Sequence, residues 1–73
     1  LPSSHFLDTV TNSLEKNGLL IIAAKKEESI FPILQQQFHT TLPFHQNGGQ
    51  ILPGKNSSAE EHLYLSCNPR NPN

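Results

Sequence analysis

The feature that most constrains the fold is an Asn-Gly pair standing directly before a run of six apolar residues. Asn17 and Gly18 both tolerate a positive φ, and this pair between hydrophobic segments is the strongest short-range signal for a turn. The run that follows, residues 19–24, is rich in Leu and Ile and ends abruptly at two lysines and two glutamates. Such a short run with sharp polar ends is typical of a strand buried on both faces. The sequence therefore predicts a strand over residues 19–24.

The segment before the turn, residues 9–14, can be interpreted in two ways. As part of a helix, the apolar residues of the segment 6–14 would share one face. As a strand, Val10, Asn12 and Leu14 would lie on one face. Thr, Val, Asn and Ser are weak helix formers, and their summed deficit relative to Ala is about 2–3 kcal/mol. This composition favours the strand, and with it a β-hairpin closed by the Asn-Gly turn.

A charged bridge and a short apolar segment follow the run. Pro32 disfavours a helix and biases Phe31 toward extended backbone, so the side chains of Phe31 and Ile33 are expected to point the same way from a short extended segment. The pattern leaves two destinations open for these side chains. They could pack on their own hairpin as core, or dock on another chain.

The second half of the chain has a different composition. Residues 35–73 contain four of the six prolines and three of the four glycines. This composition predicts an extended, largely irregular polar tail. Residues 58–66 have a plausible N-terminal cap and acidic residues in the first turn, which predicts a short helix there.

Size and charge exclude several function classes. A chain of 73 residues that is 34% apolar can form one small domain with a limited core. The net charge is −1 and the largest basic cluster is Lys25-Lys26, so nucleic acid is not an expected partner. The longest apolar run has six residues, far short of the roughly 20 that cross a bilayer, so no membrane partner is expected.

Candidates for catalysis and metal binding are weak. His5, His39, His45, His62 and Cys67 show none of the tight spacings of structural zinc sites. The cysteine also has no cation or base close in sequence to activate it. A single cysteine cannot form an internal disulfide and fits a reducing compartment, so the cytoplasm is the expected location. We expect no cofactor, no metal and no enzymatic activity.

Several short motifs stand in a fixed order across the first 33 residues. They are Leu-Pro at 1–2, VTNSL at 10–14, NGLLII at 17–22, the lysine pair at 25–26 and Phe-Pro-Ile at 31–33. Their order and spacing resemble the C-terminal part of the alpha-crystallin domain of small heat-shock proteins. In that family a strand, a turn and a second strand are followed by an Ile-x-Ile/Val docking motif.

The resemblance implies a fold class and a domain organisation. The fold would be mainly β, the C-terminal hairpin of an alpha-crystallin-type (immunoglobulin-like) β-sandwich followed by the irregular tail. Residues 1–26 would be a partial domain with strands at about 9–14 and 19–24, residues 27–34 a linker and docking motif, and residues 35–73 the polar tail.

The resemblance also implies a function. Small heat-shock proteins are ATP-independent chaperones, or holdases, which bind partly unfolded client proteins and assemble into homo-oligomers. By this likeness the first strand would form one wall of an apolar groove, and the segment 31–33 would be the plug for such a groove on a neighbouring subunit. The predicted protein-binding residues are Val10, Asn12, Leu14, Phe31, Pro32 and Ile33.

Two alternatives remain at this point. A helix over residues 5–16, a loop at Asn17-Gly18 and a strand at 19–24 resemble a late helix-strand unit of a class I methyltransferase, an α/β enzyme. That interpretation leaves the Leu-Pro and Phe-Pro-Ile motifs unexplained, and the family's glycine-rich cofactor loop is absent from these residues. The other alternative is an inactive fragment.

Overall fold

The structure is a computed structural model that describes residues 4–15, 17–25 and 28–70. These residues form two helices with 17 residues in total and four strands with 30 residues in total. The elements in chain order are α1 (Ser4–Ser13), β1 (Leu19–Lys25), α2 (Phe31–Gln37), β2 (Phe38–Asn47), β3 (Gln50–Pro53) and β4 (Glu61–Pro69). The predicted class, mainly β, is confirmed.

The four strands form one antiparallel sheet in the order β1-β4-β2-β3. Although β4 is the last strand in the chain, it lies between β1 and β2, and its Leu65 is in register with Ile21 on one side and Leu42 on the other. Strands β2 and β3 form a hairpin with a two-residue turn, in which Gly48 has a φ of 64°. A type II′ turn needs this positive φ at its first central residue.

One face of the sheet packs against both helices. Leu7 of α1 and Leu34 of α2 are fully buried, and they belong to one core cluster with Ala24 of β1 and Tyr64 of β4. Because side chains alternate along a strand, every second residue of β4 faces this core. The core therefore lies between the two helices and one side of the sheet.

The predicted strand at residues 9–14 is wrong, because α1 extends to Ser13. Two hydroxyls of this segment bond within the helix: Thr9 Oγ1 donates to the His5 carbonyl at 2.9 Å, and Ser13 Oγ donates to the Thr9 carbonyl at 2.8 Å. These i to i−4 bonds satisfy polar groups that otherwise compete with helix formation.

Tertiary contacts supply the rest of the stabilisation of α1. Leu7 is fully buried, and Thr11, which is 4% exposed, donates a 2.6 Å hydrogen bond to Gln37 Oε1 of α2. The Gln37 amide in turn donates to Asp8 Oδ1 at 2.6 Å. Burial of one Leu alone is worth about 1.5–3 kcal/mol, which is enough to offset the helix-propensity deficit of this segment.

The Asn17-Gly18 pair follows a helix rather than joining two strands. The Gly18 amide donates to the Glu15 carbonyl at 2.8 Å, which closes the connection between α1 and β1. A Cβ on Gly18 would lie 2.7 Å from the Leu14 Cβ. Glycine is therefore required here by close approach of the chain to itself.

The predicted extended segment at residues 31–33 is also wrong, because these residues form the first turn of α2. Proline fits this place because the first amides of a helix have no helical partner, so the missing N–H of Pro32 costs nothing. The Leu34 amide donates to the Ile30 carbonyl at 3.0 Å, and both side chains are fully buried.

The predicted irregular tail and its helix near residues 58–66 are wrong as well, because residues 38–69 contain β2, β3 and β4. Pro43 is tolerated inside β2 because its carbonyl accepts from the Gly54 amide at 2.8 Å. The nitrogen and the carbonyl of a strand residue point to the same edge of the strand. The Pro43 nitrogen therefore points toward β3 and away from β4, so no hydrogen bond to β4 is lost.

Some motifs of the resemblance cannot be placed. Residues 1–3 with the Leu-Pro pair, together with residues 26–27 and 71–73, lie outside the described residues. The strand predicted at residues 19–24 is confirmed as β1. The alternative of a helix, a loop and then this strand matches the local order of α1 and β1.

Candidate protein-binding surface

The side of the sheet that faces away from the helices is apolar and exposed. Ile21 is 60% exposed and Leu42 is 48% exposed. We call this surface the apolar face. It consists of Leu19, Ile21 and Ala23 of β1, Leu63, Leu65 and Cys67 of β4, Leu42 and Phe44 of β2, and Ile51 and Pro53 of β3.

The strand register arranges these side chains in rows across the sheet. One row crosses three strands, from Ile21 of β1 through Leu65 of β4 to Leu42 of β2. The next row crosses all four strands and ends on β3. Strands are about 4.8 Å apart and alternate residues on one strand about 6.8 Å apart. The rows therefore form a continuous patch of roughly 14 Å by 14 Å. This continuous exposed apolar patch is a candidate interaction site.

The apolar face carries almost no charge. Among the described strand residues that point this way, the charged ones are Lys25 and Glu61, which are register partners at one end of the sheet. Their charges are opposite and adjacent, so the net charge of the face is zero. The face therefore has no net charge that would attract a charged partner.

Strand β1 explains how the sequence produces an uncovered apolar surface. All six residues 19–24 are apolar, so both sides of the strand are apolar. Leu20, Ile22 and Ala24 face the core, while the alternate residues are exposed. The predicted burial on both faces is thus wrong for the described residues, because the helices cover only one side.

The covered side of the sheet contains an aromatic stack. The ring of Phe31 stacks on that of Tyr64 with centroids 5.4 Å apart, and the ring of His62 follows at 6.2 Å from Tyr64. Lys55 Nζ lies 5.1 Å from the centroid of Phe31. Burial raises the pKa of Tyr64, so this phenol stays neutral. The stack links α2 to β4.

His62 is held as a neutral imidazole. The Asn56 amide donates to its Nε2 at 3.1 Å, and this bond needs the lone pair that protonation would remove. Burial lowers the pKa of His62, and the charges of Lys55 and His45 lower it further. Within the part of the chain that the structure describes, no three His, Cys, Asp or Glu side chains could hold a metal ion.

An open polar cleft of about 560 Å³ lies at the end of the sheet beside the β2–β3 turn. It is lined by side chains such as Asn47, Asn56 and Glu60. Its groups are side-chain amides, the Ser58 hydroxyl and a few charges. Over residues 4–15, 17–25 and 28–70, no helix is long and apolar enough to cross a membrane.

The predicted groove residues lie on or just after α1, on the side of the sheet opposite the apolar face. Val10 is half-buried, Asn12 is exposed, and Leu14 packs against the core cluster. These positions do not form the wall of a groove on a strand.

The predicted plug residues lie in α2. Phe31 and Ile33 pack against the same core cluster as Leu14, while Pro32 is exposed. The sequence pattern leaves open whether Phe31 and Ile33 pack on their own chain or on another chain. In the structure they pack on the core of their own chain. That the six predicted residues bind protein stays a prediction of the resemblance.

Sequence reasoning missed the residues of β2 and β4 on the apolar face. The signal was present in the alternation of Leu63 and Leu65 with His62 and Tyr64, which has the period of a strand. The acidic pair Glu60-Glu61 also fits the first turn of a helix, which masks this alternation.

Comparisons with known proteins add no relative. Searches of protein-family models, curated proteins and solved structures find no match for this chain. Function must be inferred from the surface of the chain itself.

Proposed function

We propose that this chain is a non-enzymatic protein-binding module that acts as an ATP-independent holdase. Its apolar face binds apolar segments of partly unfolded client proteins, and the module also binds copies of itself. The observation that carries this proposal is the continuous uncovered apolar surface that spans all four strands of the sheet.

The chemistry of the face favours an unfolded client as its occupant. The described residues of the face carry one Lys and one Glu at a single end and are otherwise uncharged or apolar. The rest of the face offers flat rows of Leu, Ile and Phe with few polar groups to fix the orientation of a ligand. Such a surface gains free energy from any apolar segment in proportion to the area buried, which is how a holdase binds clients of differing sequence.

The resemblance to small heat-shock proteins supports the same function by a separate route. It covers residues 1–33, and its predicted strand at residues 9–14 is helical here as far as Ser13. We therefore keep the family's activity in the proposal and transfer client binding from the groove to the apolar face. A partial alpha-crystallin-type sandwich remains the finer fold proposal, since a second sheet is what covers such a face in a sandwich.

A client-aggregation assay tests the proposal. Reduced insulin aggregates in solution, and light scattering follows its aggregation with increasing amounts of the chain. The test variant carries Leu42→Thr and Leu65→Thr, which introduce β-branched side chains that suit strands and remove two large apolar groups from the face. Each lost contact is worth on the order of 1 kcal/mol, so roughly tenfold or more chain is needed for equal protection.

Phe6→Gln is the matched control, because Phe6 is a large hydrophobic that is 53% exposed but lies on α1. This control should protect the client as well as the original chain. Circular dichroism must show that all three chains keep the same fold. Equal protection by the double variant and the original chain would contradict client binding on the apolar face.

A further inference from the structure

The free edge of β1 has a defined set of outward-pointing backbone groups. The Asn68 amide donates to the Gly18 carbonyl at 3.2 Å, which makes these two residues a hydrogen-bonded pair of the β1–β4 ladder. In an antiparallel ladder, hydrogen-bonded pairs alternate with pairs that are not hydrogen-bonded. It follows that Leu20, Ile22 and Ala24 bond to β4, and that the residues between them point their N–H and C=O groups away from the sheet.

One end of this edge is closed. The Lys25 amide donates to Glu28 Oε1 at 2.9 Å, and the Glu28 amide donates to the Lys25 carbonyl at 3.0 Å. The alternation makes Lys25 an outward-pointing residue. Its N–H and its C=O are both already bonded within the chain. Among the described residues, no hydrogen bond reaches the backbone of Leu19, Ile21 or Ala23 from outside β1.

We propose that a second copy of this chain pairs with the β1 edge, antiparallel and across a two-fold axis through Ile21. In this dimer Ile21 faces its own copy, and Leu19 faces Ala23 of the partner subunit. The three hydrogen-bonded pairs exchange roughly six backbone hydrogen bonds. This inference deepens the self-assembly part of the proposed function by naming its surface and register.

The Lys25–Glu28 closure selects this register. Only three outward residues of β1 are free for bonding among those described. Centring the axis on Ile21 uses all three on each chain. A shift by two residues in either direction leaves two pairs, because one of the three then faces either Lys25, whose groups are taken, or Asn17 outside the strand.

A second copy fits this edge better than an arbitrary peptide or an open-ended array. The paired segments contain only Leu, Ile and Ala, so no charges meet across the axis. The opposite edge, β3, has four residues and ends at Pro53, which lacks an N–H. Pairing of β1 with β3 of another copy is therefore poor, and the closed two-fold dimer is favoured over a filament.

The dimer would join the two apolar faces. A two-fold axis perpendicular to the sheet keeps each face on its own side, so the two sheets of four strands form one sheet of eight. Ile21 of each copy would bridge the two patches on the exposed side. The surface proposed for clients would double in width without a change in the fold of either copy.

Cysteine cross-linking tests the register in the full chain with Cys67→Ser as background. Ile21→Cys should form a disulfide-linked dimer with itself, because residues that face each other in such a pair have Cα atoms about 5.5 Å apart. Leu19→Cys and Ala23→Cys should each fail alone, since identical residues would be about 13 Å apart. An equimolar mixture of the two should cross-link, at least tenfold more than either alone.

Sedimentation of the uncrosslinked chain completes the test. Ile21→Pro removes an outward N–H that the internal ladder does not use, so it should yield a monomer with an unchanged circular dichroism spectrum. Ile21→Ala, which keeps the N–H, should still dimerise. A monomeric original chain at about 1 mM, or equal cross-linking of Leu19→Cys alone, would overturn the proposal.

The Leu42→Thr, Leu65→Thr variant separates this inference from client binding. It should lose client protection and keep the dimer, because Leu42 and Leu65 lie on strands β2 and β4, away from the free β1 edge. Loss of the dimer in the double variant with retention in Ile21→Pro would mean that copies meet through their apolar faces. That result would overturn the edge pairing.

Discussion

Phe31 stacks on Tyr64 with ring centroids 5.4 Å apart and an angle of 17° between the ring planes. This contact fixes α2 on the sheet and places Phe31 in the core of its own chain. Ile33 of the predicted plug packs against the same core cluster. The opposite side of the sheet is the uncovered apolar face.

Removing this stack should destabilise the fold. Phe31→Ala loses the ring contact and the Lys55 contact, and it leaves a cavity beside Tyr64. We expect the free energy of unfolding to fall by about 1–3 kcal/mol, measured by urea denaturation. Ile51→Ala, at a 57% exposed position of β3, should change it by less than about 1 kcal/mol. A Phe31→Ala chain of unchanged stability but altered assembly would instead favour the plug.

The stability of the chain should fall in mild acid because of His62. Burial and the charges of Lys55 and His45 lower the pKa of His62 in the folded chain below the ordinary value for histidine, about 6.5. The unfolded chain therefore binds the proton first, so the contribution of His62 is complete above about pH 6.5 and is lost as pH falls from there through the lower folded pKa. Thermal unfolding from pH 7.5 to 5 measures this loss.

His62→Gln is the matched variant for the pH dependence. Its amide oxygen can still accept from the Asn56 amide, but it does not titrate. We expect a smaller decrease in unfolding temperature between pH 7.5 and 5 than in the original chain. The same decrease in both chains would assign the acid sensitivity to another group.

Gly18→Ala should be costly for a purely steric reason. The added Cβ would lie 2.7 Å from Leu14 Cβ and 2.9 Å from the Glu15 carbonyl oxygen. The connection between α1 and β1 would have to shift, at a cost of about 1–3 kcal/mol in the free energy of unfolding. Gly49→Ala meets nothing within 4 Å and should be nearly neutral. Equal effects of the two changes in urea denaturation would contradict the described path of the chain.

Removing the hydrogen bond from Thr11 to Gln37 should show how much this bond stabilises the packing of α1. Thr11→Val keeps the shape of the buried side chain but leaves Gln37 Oε1 without this donor. We expect a loss of about 1–2 kcal/mol in the free energy of unfolding. Asn12→Ala, at an exposed position of the same helix, serves as the control. If the two variants lose the same stability, α1 is not held by this bond.

The sequence allowed local elements to be predicted where one signal dominated. The apolar run at residues 19–24 is strand β1, since no helix-period pattern competed with it. The helix at residues 4–13 was missed because its stability comes from Leu7 and Thr11 contacting distant residues and from hydroxyls bonding back to the helix. Propensity scales contain neither effect.

The candidate surface could be predicted only in part. Leu63 and Leu65 alternate with polar and aromatic residues, which is a readable strand pattern. The insertion of β4 between β1 and β2 depends on pairings 17 to 48 residues apart in the sequence, and no local signal encodes it. Without that order, Ile21, Leu65 and Leu42 could not be recognised as one row.

The central claim is that clients bind the apolar face, and methyl NMR tests it most directly. The chain, labelled on Leu and Ile methyl groups, is titrated with an uncharged, apolar, extended peptide. We predict that the Leu42, Leu63 and Leu65 methyl signals shift together in a saturable manner, while those of the core residues Leu7 and Leu34 do not. Shifts confined to α1 and α2, or none at millimolar peptide, would contradict client binding on this face.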